Sequence, residues 1–225
     1  MIATPWLAAA LLLSAALSIA AAPWALSLPA LAFVFKPLAT LIVTAHAWRR
    51  GLGQAQRRWL LIGLGFSLAG DIALLWPQQG FLPGLVSFLV AHLAYLVAFT
   101  RESPLAARKA PFVAYALLAG AILAFLWGGI PSALRWPVLA YVVCLAAMAA
   151  QTAVVWQLAR GQAGERRASL AALGGFLFMV SDALLAINRF HTPLPASSLW
   201  ILASYWSAQW LLASSLKPAT EAPDK

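Results

Sequence analysis

The sequence predicts an all-α, polytopic membrane protein of about eight transmembrane helices, and three observations carry that prediction. Hydrophobic residues make up 63% of the chain and charged residues 9%, far from the half-apolar, quarter-charged balance of a soluble domain. The apolar residues fall into eight runs, each near the length of about 20 residues that a hydrocarbon core of about 30 Å requires. The basic residues cluster in alternate connections between the runs, which reads against nucleic-acid binding despite the net charge of +9.

The runs lie near 3–21, 30–48, 59–76, 81–100, 110–127, 134–157, 168–189 and 197–216. The first, with LLLSAALSIAAAPWA, has the small residues of a signal-peptide cleavage site but no basic segment before it, so it is read as a membrane helix, with a cleaved signal as the alternative. The second opens after Pro29 and carries Lys36-Pro37, a proline with no N–H to give the Phe33 carbonyl. The third follows Gly51 and Gly53, and the fourth is set off by Pro77, Gly80 and Pro83. Pro104 precedes the fifth, Gly128 to Pro131 separate it from the sixth, and the single cysteine, Cys144, sits inside that sixth run as a small buried hydrophobe with no disulfide partner. Gly161 and Gly164 precede the seventh, and Pro193 and Pro195 the eighth. Residues 1–216 are thus one integral membrane bundle, and KPATEAPDK at 217–225 a short polar cytoplasmic tail.

Arg49, Arg50, Arg57, Arg58, Arg101, Arg108, Lys109, Arg160, Arg166, Arg167, Lys217 and Lys225 all fall on one side of this topology, against Arg135 and Arg189 on the other. The positive-inside rule then places both termini in the cytoplasm, and a bacterial inner membrane is the expected location. AGDIALL in the third run and VSDALLA in the seventh form a weak four-plus-four internal echo.

Depth follows from a rise of about 1.5 Å per residue: Lys36, Asp71 and Asp182 lie about 9, 8 and 10 Å from the outer helix ends. Tyr205 falls near that level, with His92, Tyr95 and Gln209 somewhat deeper. An intramembrane charge is costly enough to face the bundle interior and mark a site. A Lys36–aspartate pair serving as interhelical glue is the plain alternative, and it leaves the second aspartate unexplained. Gly63, Ser67, Gly70 and Asp71 share one face of their run, as do Phe178, Ser181, Asp182, Leu185 and Arg189. For His92 and Tyr95 taken singly, a satisfied interhelical hydrogen bond is an ordinary role. Phe88, Tyr95, Phe99, Trp206 and Trp210 are candidates to line an apolar pocket or to pack the core.

FKPLAT at 35–40, GFSLAGDIALLW at 65–76, GLVSFLVAHLAYLVAF at 84–99, GGFLFMVSDALLAINRF at 174–190 and SYWSAQ at 204–209 make the chain resemble the YhhN-like transmembrane proteins that include the lysoplasmalogenases. The resemblance implies a bundle of about eight helices that hydrolyses the vinyl ether bond of lysoplasmalogens, releasing a fatty aldehyde and a glycerophospho-alcohol. It carries Lys36, Asp71, His92, Asp182, Tyr205 and Gln209 over as pocket residues, and a lysophospholipid in the bilayer as the partner. The tryptophan of SYWSAQ departs from a more tyrosine-rich final motif and bears on lipid selectivity.

The chemistry of the residues agrees with that implication. Vinyl ether hydrolysis begins with protonation of carbon, so it needs a carboxylic acid that keeps its proton and a fixed negative charge facing the oxocarbenium ion. Asp182 is the expected acid and Asp71 the expected carboxylate, with the reverse assignment as the alternative, and Lys36, His92, Tyr95, Tyr205, Gln209, Asn188 and Arg189 take supporting or substrate-binding roles. Arg189, with Arg135 and His191, falls at the outer mouth, where a phosphate would sit. No cofactor and no metal is expected. Two alternatives stand beside this reading. A proton-coupled transporter or lipid carrier uses similar Asp/Lys/His constellations. A metal-dependent hydrolase would draw Asp71, His92 and Asp182 together as ligands, with Lys36 opposing a cation.

Overall fold

The computed structural model describes residues 4–218, so the tail at 217–225 lies, beyond Pro218, outside the described residues. Eight α-helices fill them: α1 Thr4–Ala20, α2 Pro29–Trp48, α3 Ala55–Ala73, α4 Phe81–Thr100, α5 Lys109–Leu126, α6 Arg135–Ala159, α7 Glu165–Phe190 and α8 Ser197–Ser214. Two single 3-10 turns, Trp127–Gly129 and Ser132–Leu134, join α5 to α6, and no strand occurs among the described residues.

Several helix ends differ from the apolar runs. The third helix begins at Ala55 rather than 59 and the seventh at Glu165 rather than 168, because backbone hydrogen bonding continues past the residues that match the hydrocarbon. Arg57, Arg58, Arg166 and Arg167 extend these helices on stems long enough to keep their charges in water. The bend between α2 and α3 uses Gly51 at φ +64° and Gly53 at φ +77°, left-handed values that glycine adopts freely.

Five helical segments are long and apolar enough to cross a membrane: Pro29–Trp48, Phe81–Thr100, Lys109–Gly129, Ser132–Ala159 and Glu165–Phe190. The outer surface is apolar too, with Trp6, Leu12, Leu117 and Trp136 largely uncovered. In water this would be a severe penalty, and in lipid it is the required exterior, so the chain is an integral membrane protein.

The principal packing closes a ring, α2 against α3, α3 against α4, α4 against α6, α6 against α7, α7 against α8 and α8 back against α2. Helix α1 lies outside it against α2 and α8, and α5 lies outside it against α6 and α7. Tyr95, Phe99, Phe178, Leu64, Met148 and Leu212 are fully buried in its core. Small residues let the helices meet closely. A Cβ at Gly63 would enter the Tyr95 ring, one at Gly70 would lie 2.6 Å from the Phe88 ring, and one at Gly175 would collide with Thr152.

Candidate functional site

One cavity of about 660 Å³ opens at the end of the bundle where α1 meets α2, α3 meets α4, α5 meets α6 and α7 meets α8. It takes its walls from alternate helix ends: the C-terminal parts of α1, α3, α5 and α7 and the N-terminal parts of α2, α4, α6 and α8. Most of that wall is apolar, with Leu85, Ile122, Leu123, Leu126, Val138 and Val142 among its residues. Lys36, Asp71, Tyr141, Asp182, Arg189 and Tyr205 provide much of its polar chemistry.

Two hydrogen-bonded clusters surround the aspartates. Asp71, 1% exposed, accepts from Thr40 Oγ1 at 2.6 Å and from the Tyr205 hydroxyl at 2.8 Å, both on Oδ2, while Lys36 Nζ lies 3.7 Å from Oδ1. The donors' own acceptor positions are filled. Trp206 Nε1 donates to Thr40 Oγ1 at 3.2 Å, and Gln209 Nε2 donates to the Tyr205 oxygen at 3.2 Å. The Gln209 amide is oriented in turn by Tyr95, whose hydroxyl donates to Oε1 at 2.8 Å and lies 3.1 Å from Ser67 Oγ. Each hydroxyl therefore directs its single proton to Asp71, and Oδ2, receiving two donors, carries none itself.

Asp182 is differently held. The Tyr141 hydroxyl donates to its Oδ2 at 2.6 Å, and His92 Nε2 lies 3.5 Å from the same oxygen and 3.0 Å from the Tyr141 hydroxyl. The Asp182 side chain keeps 14% exposure, against 2% for that of Asp71. Phe178 joins the clusters, its ring edge-on to both His92 and Tyr205 with centroids at 4.7 and 5.5 Å.

Not every residue singled out in the sequence reaches the cavity. His92, Tyr95 and Gln209 stand behind its wall and act on residues that line it. Phe88 lines it, whereas Phe99 and Trp206 are core residues and Trp210 stacks on His46 at 3.9 Å. Asn188 faces the cavity but uses Oδ1 to accept from the Leu194 N–H at 2.9 Å, which fixes the link into α8. Of the three cationic candidates at the mouth, Arg189 alone lines the cavity, its guanidinium 5.0 Å from the centre of the Phe81 ring. Arg135 lies over Trp127 at 5.1 Å, and His191 packs on Phe125 at 4.5 Å. The metal-ligand grouping of Asp71, His92 and Asp182 is not assembled, and among the described residues no three His, Cys, Asp or Glu side chains gather as a ligand set.

Nothing in the sequence marks Thr40 or Tyr141 as a partner of the aspartates. Thr40 is one helical turn beyond Lys36, and Tyr141 lies about 9 Å along α6 by helical rise. Both spacings are present in the chain, but a threonine or tyrosine in an apolar run is too common to stand out.

The fold and the site define a class: an integral membrane helical bundle with a mostly apolar cavity holding two carboxylates. Within that class the chain belongs to the YhhN family, whose model matches residues 31–216. It is 32% identical over 182 residues to the lysoplasmalogenase TMEM86A of Bos taurus, covering 80% of this chain and 74% of that protein. It is 36% identical over 185 residues to the lysoplasmalogenase TMEM86B of Sus scrofa, covering 80% and 72%. A lysoplasmalogenase of Mycobacterium tuberculosis is 30% identical over 202 residues, covering 84% and 72%. No solved structure matches the chain.

Proposed function

We propose that this protein is a lysoplasmalogenase-type hydrolase that cleaves the vinyl ether bond of a lysophospholipid, with Asp182 as the acid and Asp71 as the fixed carboxylate. The observation that carries the reading is the pair of unequal carboxylates in one apolar cavity. Two hydroxyls commit Asp71 Oδ2 to accepting, whereas Asp182 has one oxygen held by Tyr141 and another with no hydrogen-bond partner among the described residues. The relatives named lysoplasmalogenase supply the substrate class. A cavity of about 660 Å³ is also within the size that holds a single lipid-like ligand.

The chemistry runs in three balanced steps. Asp182 gives its proton to the vinyl carbon remote from oxygen, and the electron pair of the C=C bond forms the new C–H bond, leaving an oxocarbenium ion beside the Asp71 carboxylate. A water held by Asp71 adds to the cation, and the proton it releases restores Asp182 as the acid. The hemiacetal then breaks its C–O bond, its hydroxyl proton passing through a carboxylate to the departing oxygen, and yields fatty aldehyde and glycerophospho-alcohol. The net change consumes one water. Charge stabilisation in a mostly apolar cavity lowers the barrier to the cation, and the scheme parallels the two-carboxylate logic of glycosidases.

The same reading orients the protein with eight membrane crossings, both termini in the cytoplasm and the cavity opening outward, in a bacterial inner membrane. Supporting it, Arg49, Arg50, Arg57, Arg58, Arg166 and Arg167 fall at the end of the bundle remote from the cavity. The halves also make corresponding contacts, α1–α2, α2–α3 and α3–α4 matched by α5–α6, α6–α7 and α7–α8, which supports a four-plus-four duplication. Reporter fusions at residues 103 and 130 test the orientation, and a cytoplasmic signal at 130 would overturn it.

The deciding experiment incubates detergent-purified protein and its Asp71→Asn and Asp182→Asn variants with a vinyl ether lysophospholipid and measures aldehyde. Release by the parent protein, insensitive to chelator, and its loss in both variants are expected. Near-normal turnover in both variants removes the mechanism. Absence of release from any vinyl ether lipid, with substrate-dependent proton flux in vesicles, replaces hydrolysis with transport.

A further inference from the structure

Asp182 has two protein neighbours on one oxygen, and their geometry specifies more than a carboxylate at the wall. Tyr141 has a single hydroxyl proton and two acceptors within reach, Asp182 Oδ2 at 2.6 Å and His92 Nε2 at 3.0 Å. With that proton on the shorter bond, the tyrosine oxygen still has lone pairs facing His92, so Nε2 must be the ring nitrogen that carries hydrogen. The burial of His92 points the same way. The side chain is fully enclosed, and its Nδ1 has no hydrogen-bond partner among the described residues. The opposite tautomer would bury an N–H with no acceptor and set two lone pairs against each other at Tyr141. Phe178 and Tyr141 pack on the imidazole with centroids at 4.7 and 5.3 Å and hold it in this orientation.

We propose that His92 and Tyr141 are positioning residues that form a directed donor chain, His92 Nε2–H to Tyr141 O–H to Asp182 Oδ2, which stabilises the carboxylate created when Asp182 releases its proton. This rests on the hydrolytic reading above and deepens it. No bond other than the acid's own O–H is broken at Asp182. Its proton leaves from Oδ1, which has no hydrogen-bond partner among the described residues, while the two N–H and O–H donors stay on their atoms. A hydrogen bond to a charged acceptor is stronger than one to a neutral acid, and linked donors polarise one another. The chain therefore tightens as charge develops on Asp182, and such a gain appears in kcat rather than in substrate binding.

The alternative is that the trio only ties α4 to α6 and α7. The test compares Tyr141→Phe, His92→Gln, His92→Leu and Asp182→Asn in purified protein, measuring melting temperature, kcat and KM with a vinyl ether lysophospholipid. Tyr141→Phe is expected to lower kcat about tenfold with KM unchanged. His92→Gln, whose amide N–H reaches the place of Nε2–H, is expected to keep most of the activity, and His92→Leu to lose it several-fold while melting near His92→Gln. Equal activity of the glutamine and leucine variants overturns the donor chain, as does parental kcat in Tyr141→Phe. Should His92→Leu fail to fold, Tyr141→Phe decides by itself. Turnover by Asp182→Asn would instead remove Asp182 as the acid, and absence of aldehyde release by the parent protein would remove the hydrolytic reading, failures distinct from loss of the donor chain alone.

Discussion

Tyr205 donates its phenolic proton to Asp71 across 2.8 Å, joining α8 to α3 through residues 134 positions apart. The bond makes the last helix part of the environment of a carboxylate on the third. It also removes one degree of freedom from the site, because Gln209 fills the acceptor position of the same hydroxyl.

Replacing Tyr205 with Phe deletes that donor and leaves the Gln209 amide N–H without its acceptor. Turnover of a vinyl ether lysophospholipid is expected to fall about tenfold, with a stability loss of about 1–3 kcal/mol from the buried unpaired group. Parental kcat in this variant would show that Asp71 needs no donor from α8.

Lys36 is the cation beside the buried Asp71. Lys36→Met leaves an uncompensated charge, and a loss of about 3–5 kcal/mol is expected in thermal or denaturant unfolding in detergent. The double variant Lys36→Met/Asp71→Asn, with both charges gone, should recover most of that stability and none of the activity. If it unfolds as readily as the single variant, the pair is not the source of the loss.

Arg189 stands at the cavity wall with its guanidinium over Phe81. If it meets the phosphate, Arg189→Met raises KM for the lysophospholipid about tenfold, the worth of one charge-assisted contact, with little change in kcat. A neutral 1-alkenylglycerol should show no such difference, and equal KM changes for both lipids would exclude a phosphate contact.

Val142 lies one residue beyond Tyr141 and faces the same cavity. Val142→Trp fills that space, and kcat/KM is expected to fall about 100-fold through displacement of the lipid, with the melting temperature measured beside it because Val142 also packs against the core. Unchanged activity would place the substrate elsewhere.

Gly63 and Gly70 set the separation of α3 and α4. Gly63→Ala drives a methyl into the Tyr95 ring, and an overpacking cost of about 1–3 kcal/mol is expected in unfolding in detergent. Gly65, on the same helix with open space around it, is the control, where alanine should be neutral or stabilising.

The helices were largely legible in the chain because two demands coincide in lipid: every backbone group must be paired within its own segment, and that segment must be apolar over a fixed thickness. That Lys36, Asp71, Asp182 and Tyr205 line one cavity was legible for a related reason, since axial rise per residue is constant and a span therefore serves as a ruler. Rotation about each axis was not. Tyr95 and Gln209, expected somewhat deeper, stand behind the cavity wall rather than on it, and Asn188 faces it with its oxygen engaged by the Leu194 N–H.

The sequence by itself determined the membrane character, the helices and the end of the bundle at which several polar side chains collect, because these depend on composition and rise along single segments. Tertiary structure decided the partners. It gave Asp71 the hydroxyls of Thr40 and Tyr205, gave Asp182 the one hydroxyl of Tyr141 with His92 behind it, and put Arg189 but neither Arg135 nor His191 on the cavity wall. Such pairings depend on which helices are neighbours and how each is turned, and a hydrogen bond of under 3 Å tolerates neither a different neighbour nor a rotated face.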